Sequence, residues 1–267
     1  RLDRLCADLA AQRRTLNPAV DDGRSQRLIH PMGLRLQINL IMGVYSSAQC
    51  VPMAQRRTHD DRAMDERMLA FDSVTLESSL EDMDGFFPLD RYTGTLYGAI
   101  HGRGLKGTPT EFAHLTTDAL QRAKECVLIQ SALFGLIPAT GLIPNYKLSA
   151  SPKLKAIWAE PHQAVFRRLT GPIIDMRSKQ YVALAPIAEE IESYWLDVVL
   201  ESAGGQRSSM NHFNKKSKGE LIHAVLNAKQ LPSTIADLRR IAKKAGFGLE
   251  QSGRELTLVV SYTAPTN

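Results

Sequence analysis

The stretch Val127 to Ser151, VLIQSALFGLIPATGLIPNYKLSAS, sets the strongest constraint on the fold. Its opening run, VLIQSALF, is too short for a useful helix and too apolar for a surface strand, so it reads as a buried strand ended by Gly135. Pro138, Gly141 and Pro144 then rule out continuous helix or central strand, and the chain is expected to leave the sheet there. The polar group Asn145, Tyr146, Lys147 and Ser149 follows directly. A buried strand feeding a polar loop is how helix-flanked sheets present ligand-binding groups beyond their carboxyl edge.

Other segments supply partners for that strand. LRLQINL, residues 34–40, alternates apolar and polar residues as a half-buried strand does. PIIDM, with Asp175, gives a second buried run that ends in Arg177, Ser178 and Tyr181. Residues 193–201, SYWLDVVLE, read as a third, with a turn at Gly204-Gly205, and residues 208–213 as a fourth. Helices are expected over 2–14, 60–73, 91–104, 117–125, 153–169 and 234–245, the last halted by Gly246. FGLEQ and ELTLVVSY, joined at Ser252-Gly253, form a terminal β-hairpin expected to join a sheet edge. The fold class is therefore α/β, of the mixed α+β kind. One large domain, residues 1–267, is built on a central mixed sheet flanked by helices.

Composition narrows the classes of function. With 43% apolar residues, the chain can bury a substantial core. No run approaches the roughly 18–20 apolar residues of a membrane span, and no signal-peptide pattern opens the sequence. A cytoplasmic protein is the expectation, and Cys6, Cys50 and Cys126 are too scattered for a disulfide scaffold. A chain beginning with Arg1 rather than Met reads as incomplete at its amino end.

The net charge of +5 is unevenly spread. Between Arg207 and Lys244, nine Lys or Arg stand against Glu220 and Asp237, a balance of +7. Such a face fits either an anionic partner, such as phosphate, a nucleotide or nucleic acid, or a solvated helix surface. HFNKKSKGELIHAVL, residues 212–226, reads as a strand-to-helix switch, with Asn214 or Ser217 as cap. Lys215, Lys216 and Lys218 beside free amides at a helix start would make an anion site.

Several familiar chemistries lack their pattern. GRGLKG matches GxGxxG at Gly102, Gly104 and Gly107, but a helix precedes it and Pro109 follows, so the dinucleotide context is absent. The seven histidines show no HxH or HExxH spacing, and Ser131 lacks a nucleophile elbow. No cofactor and no metal is expected. A cleft lysine, Lys147, Lys215 or Lys218, would serve as base or imine former if burial lowered its pKa.

Four segments together resemble the YaaA family of bacterial peroxide stress proteins, particularly its actinobacterial branch. They are RYTGTLYGAI (91–100), SALFGL with IPNYKLS, IIDMRSKQYVAL (173–184) and HFNKKSKGELIHAVL. Residues 91–262 carry the best match and residues 1–90 diverge. The family's short proline, serine or alanine, and lysine motif is missing there, and 50–85 does not match its helix-hairpin-helix.

The resemblance implies a cytoplasmic role in the response to hydrogen peroxide, limiting iron-driven damage, with no known enzymatic activity. It implies an anionic ligand or DNA, bound in a basic cleft lined by Tyr146, Lys147, Ser149, Asp175, Arg177, Tyr181, His212, Asn214, Lys215 and Lys218. Two alternatives stand beside it: an enzyme acting on a nucleotide or phosphorylated metabolite through a cleft lysine, and a nucleic-acid-binding module using the 207–244 face.

Overall fold

Residue pairing in the sheet follows from which strands can tolerate burial on both sides. In the computed structural model, residues 38–43, 87–104, 115–141, 143, 150–209 and 211–261 are described. The expected helices at 2–14 and 60–73 lie outside them, as does the start of the 34–40 strand. The first described strand is β1, Asn39–Gly43, with all five residues buried. It lies further along than the alternating pattern indicated, because the apolar continuation Leu40 to Met42 suits a central strand covered on both faces.

Among the described residues three helices follow: α1 (Pro88–Arg91), α2 (Thr95–Ile100) and α3 (Thr117–Cys126). The last is capped by the Thr116 hydroxyl, which accepts from the Ala119 amide at 3.2 Å. β2, Val127–Ser131, then pairs in parallel with β1. The chain does not leave the sheet after β2. It turns at 132–134 and returns as the antiparallel strand β3, Gly135–Pro138. Pro138 is tolerated because β3 is the outermost strand on that side, where a missing N–H breaks no ladder.

Beyond β3 come α4 (Lys155–Phe166), β4 (Ile173–Asp175), α5 (Lys179–Leu184), β5 (Ser193–Glu201) and the two-residue β6 (Arg207–Ser208). The chain ends with α6 (Asn211–Leu226), α7 (Ile235–Lys244), β7 (Phe247–Ser252) and β8 (Glu255–Ser261). The eight strands form one sheet in the order β3-β2-β1-β4-β5-β8-β7, with β6 paired to β5. As expected, the fold is mixed α/β with helices around one sheet and a terminal hairpin. The hairpin attaches through β8, parallel to β5.

The start of α7 was the most legible junction. Thr234 accepts from the Asp237 amide, and the Asp237 carboxylate accepts from the Thr234 amide, forming a reciprocal capping box. Gly246, at φ +87°, ends the helix in a conformation that suits glycine. By contrast, α6 begins at Asn211, earlier than the sequence pattern indicated, and takes up residues 211–213 of the strand expected over 208–213, of which only Ser208 is in a strand, β6, among the described residues.

The main core lies between the helices α2, α3, α6 and α7 and strand residues such as Leu40, Met42, Ile174, Leu196 and Leu258. Ile41, Ile173 and Phe166 belong to a smaller cluster, on the face that alternation assigns to the opposite side of β1 and β4. β2 and β3 lie to one side of β1, and β4, β5, β8 and β7 to the other. In helix-flanked parallel sheets this reversal of winding opens a crevice at the carboxyl ends of the two seam strands. Here that point is reached by Gly43 of β1 and Asp175 of β4.

Candidate functional site at the carboxyl ends of β1 and β4, beside β5

Asp175 is the last residue of β4, so the side chain of Arg177, two positions on, can fold back onto it. Arg177 is fully buried. Its Nε and Nη2 donate to the two carboxylate oxygens of Asp175 at 2.8 and 2.6 Å. Nη1 donates to Gln130 Oε1 on β2 at 2.8 Å and to the Ala185 carbonyl after α5 at 2.9 Å. The guanidinium carbon also sits 5.4 Å from the centre of the Phe166 ring. A planar fork matched to a carboxylate is the strongest geometry for such a pair. Arg177, expected to line an anion cleft, is instead committed to the protein interior. It ties β2, β4 and the end of α5 together.

The other side of the crevice is built by α6. The Nζ of Lys218 donates to the Met176 carbonyl at 3.2 Å, just past the end of β4, and the side chain is 2% exposed. Its ammonium lies 5.9 Å from the centre of the Trp195 ring. Lys179, exposed at the start of α5, places its own ammonium 5.6 Å from the same centre. Trp195 stands beside Asp175 in the β4/β5 register, and its Nε1 donates to the Arg177 carbonyl at 3.3 Å. Two residues further along β5, Asp197 Oδ1 accepts from Asn214 Nδ2 of α6 and from the Val198 amide, both at 2.9 Å.

Burial dominates the electrostatics of Lys218. Desolvation pulls its pKa from 10.5 down to about 8, while the charges of Asp197 and Asp175 pull the other way. The folded value lies below the unfolded one, so as pH rises from about 8 to 10.5 the unfolded chain holds a proton that the folded chain has lost. Lys218 therefore adds stability across that window, about 3 kcal/mol in full, and the contribution disappears as pH falls through 8. Burial pushes the Cys126 thiol up to about 12, which acts in the opposite direction above pH 9. The comparison that isolates Lys218 is thus wild type against Lys218→Met in urea unfolding at pH 7.5, 9 and 10.5. The gap in unfolding free energy should move in favour of the wild type by about 3 kcal/mol. A constant gap would rule out the lowered value.

Of the ten expected site residues, Asp175, Arg177, Asn214 and Lys218 meet at this seam, directly or through Asp197. Tyr181 is also there, with its ring against Gly43, where a Cβ would stand 3.0 Å from the ring. Tyr146, Lys147, Ser149 and the side chain of His212 lie outside the described residues. Asn214 and Ser217 are inside α6 rather than capping it, and Lys215, half-buried, falls in its second turn. The helix-start anion site is therefore not formed as expected.

The basic window is also less of a face than its count implied. Arg207 is bound to Glu201 and Glu250, Lys216 lies 3.5 Å from Glu220, Arg240 pairs with Asp237, and Lys218 is internal. Trp195, Asp197, Lys179 and Gln130 escaped the sequence reading. A lone acid inside the apolar run SYWLDVVLE was the available signal for Asp197.

The sequence profile of the family described as peroxide stress protein YaaA matches residues 79–252, about two thirds of the chain. The chain belongs to the YaaA family. A UPF0246 protein of Corynebacterium glutamicum strain R is 32% identical over 183 residues, covering 64% of this chain and 68% of the relative. A UPF0246 protein of Corynebacterium efficiens is 32% identical over 185 residues, with the same coverage. One of Streptomyces coelicolor is 28% identical over 167 residues, 60% of each chain. The matched span of this YaaA-family chain contains α1 to α7 and the seam residues of β2, β4, α5, β5 and α6, but not Gly43 of β1.

Proposed function

We propose that this YaaA-family chain acts in the bacterial response to hydrogen peroxide, limiting iron-driven damage from within the cytoplasm, by binding a small anionic ligand at the β1/β4/β5 seam. The observation that carries this reading is the pair of ammonium groups, Lys179 outside and Lys218 inside, gathered around the half-buried Trp195 at the carboxyl edge of the sheet. A positive charge at the rim, an aromatic wall and hydrogen-bonding groups on β5 and α6 suit a compact ligand with one negative group. Extended DNA is less well served, because several cations of the 207–244 window already face carboxylates. The lowered pKa of Lys218 favours a second reading, an enzyme acting on a nucleotide or phosphorylated metabolite through that lysine.

A thermal-shift screen of nucleotides, sugar phosphates and iron chelates tests the proposal. A ligand at 100 times its Kd should add about 2.7 kcal/mol and raise Tm by several degrees. That rise should shrink in Lys179→Ala. Duplex DNA serves as the competing arm: retention that falls linearly on a log scale with salt, with no small anion raising Tm, would replace the small-ligand reading. No response in either arm would refute both.

A further inference from the structure

Resting on the ligand-site reading above, we propose that Lys218 is a nucleophilic amine that captures a small aldehyde or ketone carrying a carboxylate or phosphate, holding it as an imine. The geometry runs from rim to floor. Lys179 is exposed, Trp195, Asp197 and Asn214 are half-buried, and Lys218 closes the inner end, with its Nζ 3.2 Å from the Met176 carbonyl. Both ammonium groups stand within 6 Å of one indole centre, and in this proposal the anionic end of a short molecule lies on Lys179 and its carbonyl at Lys218.

An imine-forming lysine needs its amine uncharged, and burial that penalises the ammonium favours that state. The neighbouring carboxylates are shared with other donors. Both oxygens of Asp175 receive hydrogens from Arg177, and Asp197 Oδ1 receives those of Asn214 and Val198. The desolvated value near 8 leaves about one tenth of the amine uncharged at pH 7, against roughly one part in 2,500 for an ordinary lysine. That is a roughly 200-fold advantage in reactive species.

The step balances without a further reagent. The Nζ lone pair attacks the carbonyl carbon and forms the C–N bond, while the carbonyl oxygen takes up a proton. Both amine hydrogens then depart with that oxygen as one water, leaving C=N. Asp197 of β5, whose charge acts on the Lys218 ammonium, is the group assigned in this proposal to pass protons between nitrogen and oxygen.

The test incubates the full chain with glyoxylate and cyanoborohydride, which reduces an imine to a stable secondary amine, and quantifies modification at each lysine by peptide mass spectrometry. Lys218 should label at least 10 times faster than the exposed lysines at pH 7, with a rate that levels off just above pH 8 while theirs continues to rise. Lys218→Arg keeps the charge and should lose only that adduct, with circular dichroism and Tm confirming the fold. Lys179→Ala should slow capture of glyoxylate several-fold but leave capture of neutral acetaldehyde unchanged. Labelling of Lys218 no faster than that of the surface lysines, in a folded wild-type protein, overturns the proposal. If an anion from the thermal-shift screen still stabilises that protein, the binding site stands and only the covalent step fails.

Discussion

Arg177→Met lowers unfolding stability by about 3–5 kcal/mol, the cost of leaving one member of a buried ion pair without its partner. Asp175 is 5% exposed and directs both oxygens at the missing guanidinium, so its charge would have to remain in the interior or acquire water. The loss also releases Gln130 and the Ala185 carbonyl, so β2 and the end of α5 lose a shared anchor. Urea unfolding at pH 7 measures the effect. Adding Asp175→Asn to Arg177→Met should recover part of the loss, since the stranded charge goes with it. A single-variant loss below about 1 kcal/mol would place this pair with ordinary surface bridges and discard its anchoring role.

Gly219→Val is expected to cost about 3 kcal/mol or more, at the upper end of the range for overpacked interiors, and to lower Tm by roughly 6–12 °C. A Cβ at position 219 would stand 2.3 Å from the Leu96 carbonyl oxygen and 2.7 Å from the Ala99 Cβ. Both obstacles belong to α2, and a backbone oxygen cannot rotate aside as a long side chain can. Helices α2 and α6 must therefore separate. Because Lys218 is the adjoining residue, the same displacement should admit water around its amine, returning its reactivity to that of a surface lysine. Calorimetry and the labelling assay on one sample read both effects. An unchanged melting temperature would show that α6 has freedom to shift where the close approach denies it.

Local chemistry explains which parts of this architecture were readable beforehand. The α7 boundaries were legible because Thr234, Asp237 and Gly246 act on their own backbone within a turn. The apolar runs of β2, β4 and β5 were legible for a similar reason: they are bounded by turn residues. β3 was missed because Pro138 counts against a strand only where both sides are paired, and nothing local says that this strand is outermost. The start of α6 was misplaced because Asn214 and Ser217 have the side chains of caps. Their actual roles depend on a distant partner, Asp197, and on burial.

The same division runs through the candidate site. Asp175 and Arg177 were identified as important by following a strand to its polar end, and Lys218 as one of the lysines at an expected helix start. Whether each charge faced a ligand or another residue depended on chain segments far apart in sequence, such as Gln130 and Arg177. Trp195 was unreadable as a site residue because an aromatic in an apolar strand has the ordinary signature of a core. It is nonetheless only half-buried, beside the last residue of β4.

The margins of the open sheet carry a consequence for life at cellular concentrations. An unpaired strand edge recruits edges of other chains, a first step toward fibrous association. Among the described residues the strands at the two ends of the main order are β3, which ends in Pro138 and so offers one amide fewer, and β7, where Glu250 is locked to Arg207 at 2.7 and 2.8 Å. A missing donor on one border and a fixed ion pair on the other obstruct further strand addition, and the protein can crowd without growing by its edges.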